Sequence, residues 1–242
     1  MAGLSQRFTD AGFTQPKYML PYRGRTLFAH VVNGFRAYFE HERFVFVFRD
    51  VSDTVTFIRT ELEGLGLNPG LVDLVRMDQT TRGQAETVAI ALRTIRGIDD
   101  EPLSIFNIDT IRPDFKHPES LDLSKIDGYL EVFHGDGDHW SFVLPDKTDP
   151  HLKRAVQVTE KRKVSDLCCT GLYFFRTVSL FLKAFARIEH KSAEDQEGGE
   201  FYVAPLFQDL IDRGKNIHYT LISKNEVSFS GTPEEYYRLL KS

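Results

Sequence analysis

Cysteine is scarce in this sequence: there are two, Cys168 and Cys169, and as chain neighbours they cannot close an ordinary structural disulfide. A disulfide-stapled scaffold is thereby excluded, and a reducing compartment, the cytoplasm, is expected. Long apolar runs are missing, and nothing resembles a signal peptide, so no membrane insertion is expected. There is no excess of positive charge either. Against 30 Lys and Arg stand 35 Asp and Glu, a formal net charge of −5, so the chain offers nucleic acid and acidic lipid no general attraction; a local basic pocket for a small anion remains compatible with it. No tract is rich enough in proline or glycine to act as a linker, and no repeat is visible. What is present is 242 residues, 41% hydrophobic and 12% aromatic, enough to bury one substantial core. We expect a single domain over 1–242. Oligomeric state is open, a homo-oligomer included.

Periodicity places the elements. Glycine, proline and charge fill residues 3 to 25; then Leu27, Val31, Val32, Phe35, Tyr38 and Phe39 recur at helical spacing behind a Thr26 cap. Arg43 to Arg49 is apolar on both faces and suits an internal strand of a parallel sheet. A helix over about 52 to 65, a strand at Leu71 to Arg76, a glycine-started helix from Gly83 and a strand Leu103 to Asp109 continue the alternation, which predicts a doubly wound α/β fold. Beyond residue 127 the segments Tyr129 to Phe133, Trp140 to Leu144, Ala155 to Thr159 and Thr170 to Phe175 predict an antiparallel or mixed β-rich extension. Helices over about 177 to 190 and 201 to 213 flank a charged, glycine-containing loop at 193 to 199, and the chain ends strand, strand, short helix.

Four constellations can carry chemistry, and each has a plainer alternative. Met1-Ala2-Gly3-Leu4-Ser5-Gln6-Arg7-Phe8, with Lys17 ten residues beyond Arg7, suits a polyphosphate, because backbone N–H groups can approach it while two cations neutralise its charge. Short glycine loops with basic neighbours are equally common at ordinary strand ends. Asp109, at the end of an apolar strand, can hold Mg²⁺ bridged to substrate phosphates, or can cap a turn. Thr159-Glu160-Lys161 pairs an acceptor for sugar hydroxyls with a phosphate-holding ammonium, or is a surface ion pair. Gln79, ahead of Gly83-Gln84, can read a base edge or sit in a solvated turn.

Taken in order, Met1 to Phe8, Pro16-Lys17, Gln79 with Gly83, Asn107-Ile108-Asp109, Glu160-Lys161, Thr170-Gly171-Leu172-Tyr173-Phe174-Phe175, Gly199-Glu200 and Gly231-Thr232-Pro233-Glu234 resemble the nucleoside-triphosphate transferase family of sugar-phosphate nucleotidyltransferases. The likeness is to glucose-1-phosphate thymidylyl- and uridylyltransferases and to the short bacterial enzymes of capsule and surface-polysaccharide pathways. It implies a Rossmann-like mixed sheet and the joining of a nucleoside triphosphate, preferably a pyrimidine one, to a phosphorylated sugar or similar acceptor, with release of pyrophosphate. It also implies roles: Ala2, Gly3, Leu4 and Ser5 around the triphosphate, Arg7 and Lys17 as its clamps, Gln79 and Gly83 at the base, Asp109 on Mg²⁺, Asn107, Glu160, Gly171 and Glu200 at the sugar, and Lys161 on the acceptor phosphate.

The sequence departs from that pattern in three places. Ser5 stands where the family usually has glycine, and Phe229 where thymidylyltransferases carry a second metal-binding aspartate, for which Glu226 is the nearest substitute. The family's first buried strand would fall upstream of Met1. Phe229 and the absent first strand sustain a second reading, a nucleotide- or sugar-phosphate-binding regulatory protein of the same fold. A dinucleotide-dependent oxidoreductase is disfavoured, because no G-x-G-x-x-G follows a strand.

Overall fold

The segments that alternate in sequence alternate in space. The chain, here a computed structural model, is described at residues 1, 3, 6–149 and 151–241. Its elements in order are α1 (Gln6–Asp10), β1 (Pro21–Tyr22), β2 (Arg25–Thr26), α2 (Leu27–Asn33), β3 (Phe44–Phe48), α3 (Thr54–Leu65), β4 (Val72–Arg76), α4 (Gln84–Thr94), β5 (Leu103–Ile105), β6 (Thr110–Ile111) and β7 (Gly128–His134). There follow β8 (Ser141–Pro145), β9 (Ala155–Glu160), β10 (Leu167–Phe175), α5 (Val178–Ala186), α6 (Ala204–Asp212), β11 (Ile217–Ile222), β12 (Ser228–Phe229) and α7 (Pro233–Leu239). They divide into two compact units: Met1–Thr80 with Asn107–His117 and Asn225–Ser242, and Thr81–Phe106 with Pro118–Lys224. Among the described residues no helix is long and apolar enough to cross a membrane.

In the first unit β3 and β4 pair in parallel, Phe44 opposite Val72 through Phe48 opposite Arg76. Parallel neighbours need a crossover, and α3 supplies it, closing on Gly66 in the left-handed conformation that glycine adopts at least cost. Phe28, Phe46, Phe48, Ile58 and Leu62 fill the core there. The short strands β6 and β12 pair antiparallel, Thr110 opposite Phe229, so the segment carrying Asp109 is tied to the last glycine motif.

In the second unit the sheet runs β11-β7-β10-β8-β9, with β5 also on β10. It is mixed, since β11 lies parallel to β7 while β7, β5 and β8 lie antiparallel to β10. Every residue of the nine-residue β10 is buried, as a central strand covered on both faces requires. Its neighbours Cys168 and Cys169 are both free and buried. Helices α4, α5 and α6 contribute Ala89, Phe181 and Phe207 to one core with Leu130, Val158 and Phe175.

Three expectations need correction: residues 3 to 25, whose glycine, proline and charge read as loop, hold the short α1, β1 and β2. The helix from Leu27 does not run on to Phe39: α2 stops at Asn33 and a 3₁₀ turn follows at Arg36–Tyr38. Gly34 marks the break, because a Cβ there would run into the carbonyl oxygen of Arg112. The strand from Leu103 does not end on Asp109 either; it stops at Ile105, and Asp109 lies in a turn just before β6.

Candidate active site

Asp109 is held from several directions. Lys17 opens a 3₁₀ turn behind Pro16, and its Nζ donates to Asp109 Oδ2 in a salt bridge whose side chains are about one-fifth exposed. From the C-terminal segment, the Ser230 amide and hydroxyl donate to the Asp109 carbonyl at 2.8 and 3.0 Å. Gly231 follows; a Cβ there would come within 3.3 Å of Oδ2, so glycine leaves room around the oxygen that accepts from Lys17. The Gly231 and Thr232 amides donate to Glu235, and Thr232 and Glu235 form a capping box that starts α7. Burial opposes ionisation of Asp109, yet the Lys17 charge and hydrogen bond outweigh it and leave the pKa below the ordinary carboxylate value. The result is a carboxylate whose ionised form is favoured, with an ammonium on one oxygen.

That donor set fits Mg²⁺, an ion that keeps several waters and binds through one or two carboxylates together with substrate phosphates. It would be a one-carboxylate site. Phe229 lies across from Thr110, beside Asp109, where it can offer no oxygen, and Glu226 is engaged with Arg112 at 3.4 Å. No group of three or more His, Cys, Asp or Glu able to hold a metal exists among the described residues. Arg7, on α1, and Gln79, in the bend after β4, are both exposed and make no hydrogen bond or ion pair to the Lys17–Asp109 pair among the described residues. Gly3 is exposed, and Asn107 is partly buried. Ala2, Leu4 and Ser5 lie outside the described residues.

The second unit carries Glu160, Lys161, Gly171, Glu200 and Gly83, and it brings Glu160, Lys161 and Glu200 near one another. Glu160 ends β9; Ser141 on β8 donates its hydroxyl to Oε2, and the Glu160 amide donates to Glu197 at 2.9 Å. Burial pushes the Glu160 pKa up, more strongly than Ser141 and Lys161 can lower it, and Glu197 and Glu200 add like charge. Lys161 has a backbone φ of +53°, uncommon for a residue with a side chain, and its amide is pinned by the Trp140 carbonyl at 2.9 Å. Its Nζ donates to the Tyr202 hydroxyl at 2.6 Å and lies 4.6 Å from that ring's centre. Burial works against the charge, but Tyr202, Glu160 and Glu200 leave the Lys161 pKa raised. Gly198 lies against both groups: a Cβ there would meet Glu160 Cγ at 2.8 Å and Tyr202 at 2.9 Å.

Gly171, at φ +94°, falls where the pairing register of β10 with β7 shifts between Cys169 and Tyr173, the place for a glycine bulge. Glu200 is exposed beside Tyr202. Gly83 has a structural reason to be glycine. At φ +145° it lies against the backbone of Phe201, whose nitrogen and oxygen a Cβ would meet at 2.6 and 2.7 Å; Phe201 also exchanges hydrogen bonds with Arg82 and Ala85. Among the aromatics Tyr129, Phe133, Trp140 and Tyr202, which the sequence offers as a lining for the acceptor side with core packing as the plainer role, Tyr202 does meet Lys161; Glu197 and Ser141 were not readable as site residues from spacing, though Glu197 lies close to the Gly199-Glu200 motif. Of the other aromatics near the expected acceptor side, Tyr129 and Phe133 are core, while Trp140 is partly exposed.

No family model matches the chain, and no curated protein does. Solved structures do. A nucleoside-diphosphate-sugar pyrophosphorylase from Vibrio cholerae RC9 shares 43% identity over 100% of this chain and 98% of its own, with a TM-score of 0.91. An inositol-1-phosphate CTP transferase from T. maritima shares 17% identity over 99% of this chain and 91% of its own, TM-score 0.69. An apo UDP-glucose pyrophosphorylase shares 15% over 99% and 94%, TM-score 0.72. The latter two show a shared fold.

Proposed function

This chain belongs to the nucleoside-diphosphate-sugar pyrophosphorylase family of sugar-phosphate nucleotidyltransferases, and on that premise we propose that it joins a pyrimidine nucleoside triphosphate to a sugar phosphate or similar small acceptor. The product would be a nucleoside-diphosphate sugar of the kind surface-polysaccharide synthesis consumes, and 1–242 would work as one catalytic domain. The observation that carries the reading is the Lys17–Asp109 pair, held by the Gly231 motif. The pyrimidine and the pathway rest on the resemblance around Gln79 and Gly83 and over the whole chain.

A phosphate monoester, with a second pKa of about 6, is already largely dianionic at neutral pH, so its oxygen can attack the α-phosphorus in line without a general base. The protein's task is to bring two repelling anions together and to neutralise the departing pyrophosphate. Arg7 and Lys17 are the cations for the triphosphate, with the Ala2–Ser5 loop around it. Lys161 is the cation for the acceptor phosphate; the Tyr202 hydroxyl and the pinned left-handed backbone set its direction in advance. Glu160, Glu200, Asn107 and Gly171 would meet the sugar. Mg²⁺ at Asp109 would supply further neutralisation of phosphate oxygens.

Pyrophosphate release, measured with a panel of triphosphates and acceptor phosphates, tests the reaction. Release with a pyrimidine triphosphate and a sugar phosphate is expected, and silence across the panel would favour a binding or regulatory role. In Lys161→Ala turnover should fall about a hundredfold or more, the order for one charge-stabilising group, with nucleotide binding nearly unchanged; near-normal turnover would reject the role of Lys161.

A further inference from the structure

The second unit holds a cleft of about 310 Å³ lined by Arg176, Lys183, Arg187, Arg213 and Lys215 together with Thr177 and Ser179. None of these residues belongs to the groups assigned above to nucleotidyl transfer. Five cations face one cleft in a chain whose net charge is −5. Among the described residues two carboxylates pair with them, and each is shared: Asp127 pairs with Arg176 at 2.8 Å and Lys215 at 3.7 Å, while Asp209 pairs with Arg187 and with Arg213 at 3.2 Å.

The carboxylates are the more deeply set partners, Asp127 12% exposed against 43% for Arg176, and Asp209 23% against 55% for Arg213. They therefore hold one edge of each guanidinium and leave each with further N–H donors. Lys183 has no ion-pair partner among the described residues. A surplus of three positive charges, with oriented guanidiniums and two hydroxyls, is a receptor for a compact polyanion. The volume stands at the lower end for ligand sites, which suits a phosphorylated sugar or pyrophosphate better than a whole nucleoside-diphosphate sugar.

We infer that this cleft is a second ligand site, separate from the transfer chemistry, for a small phosphate-bearing anion. A sugar phosphate and free pyrophosphate share that chemistry, and separate titrations distinguish them. Amide hydrogen exchange of the full chain, with glucose 1-phosphate in one series and inorganic pyrophosphate in another, should show saturable protection of 176–187 and 210–215 with at least one probe. In the double variant Lys183→Glu, Arg213→Gln half-maximal protection should need about tenfold more probe or beyond, the scale of losing charge-assisted hydrogen bonds. Neither substitution strips a carboxylate of its last partner, since Arg187 remains on Asp209, and turnover without added effector should be retained. Absence of protection with both probes, protection unchanged in the variant, or protection that follows protein concentration without probe would each overturn the assignment.

Discussion

At the residue scale, the candidate chemistry rests on ionisable groups whose neighbours fix their charge. Lys17 favours the ionised form of Asp109, and Gly231 leaves room around the oxygen that accepts from Lys17. If it is the single protein ligand for the metal, Asp109→Asn should raise the Mg²⁺ concentration for half-maximal pyrophosphate release about tenfold or more, the order seen when a metal site's surroundings are altered. Glu226→Gln should leave that concentration unchanged, because Glu226 is turned to Arg112. A shift in the second variant would make Glu226 the replacement for the aspartate that Phe229 displaces. The order of motifs was legible in the sequence, since each is a few adjacent residues. The partners of those residues were not. Tyr202 reaches Lys161 from forty-one positions away, and Ser141 meets Glu160 only because β8 and β9 pair Ser141 with Glu160.

At the scale of elements, periodicity found the longer helices and strands but not the short α1, β1, β2 and β6, and the two misread segments share a cause. Leu27 to Phe39 has helical spacing throughout, but Gly34 must let the Arg112 carbonyl pass, so the helix ends there. Leu103 to Asp109 is apolar enough for one strand, yet the strand spans Leu103–Ile105, where it pairs with β10. In both cases a distant backbone overrode a local preference, which a single sequence cannot register. Gly83 illustrates the converse, a glycine whose role is packing of one loop on another whatever it does for a nucleotide. Gly83→Ala should destabilise the protein by about 1–3 kcal/mol, as overpacking at a strained backbone does, measured by urea unfolding without ligand. A smaller loss would mean that Phe201 and its loop can yield.

At the scale of the whole molecule, the titrating groups oppose one another. Asp109, Asp209 and Glu86 all have folded-state pKa values below their ordinary ones, burial notwithstanding, because Lys17, Arg187 and Arg82 hold them. Their contribution is complete above the ordinary carboxylate range and is lost as pH falls through the lowered folded values. Glu160 runs the other way. Its raised value means that stability declines as pH rises from the ordinary glutamate value through the folded one, and the cost persists at neutrality. Urea midpoints should therefore fall on acidification below the ordinary carboxylate range, and Glu160→Gln should be more stable than the parent at pH 7 but not at pH 4, while its transfer activity drops. Equal stability at both pH values would remove the burial argument for Glu160. The left-handed backbone at Lys161 carries this tension into heredity. Glycine fits that conformation better than lysine, so a library of variants sorted for abundance of folded protein should enrich glycine at 161, whereas the same library sorted for nucleotide-sugar formation should discard it. A lysine that persists in descendants against the folding preference would be a record of selection for the reaction.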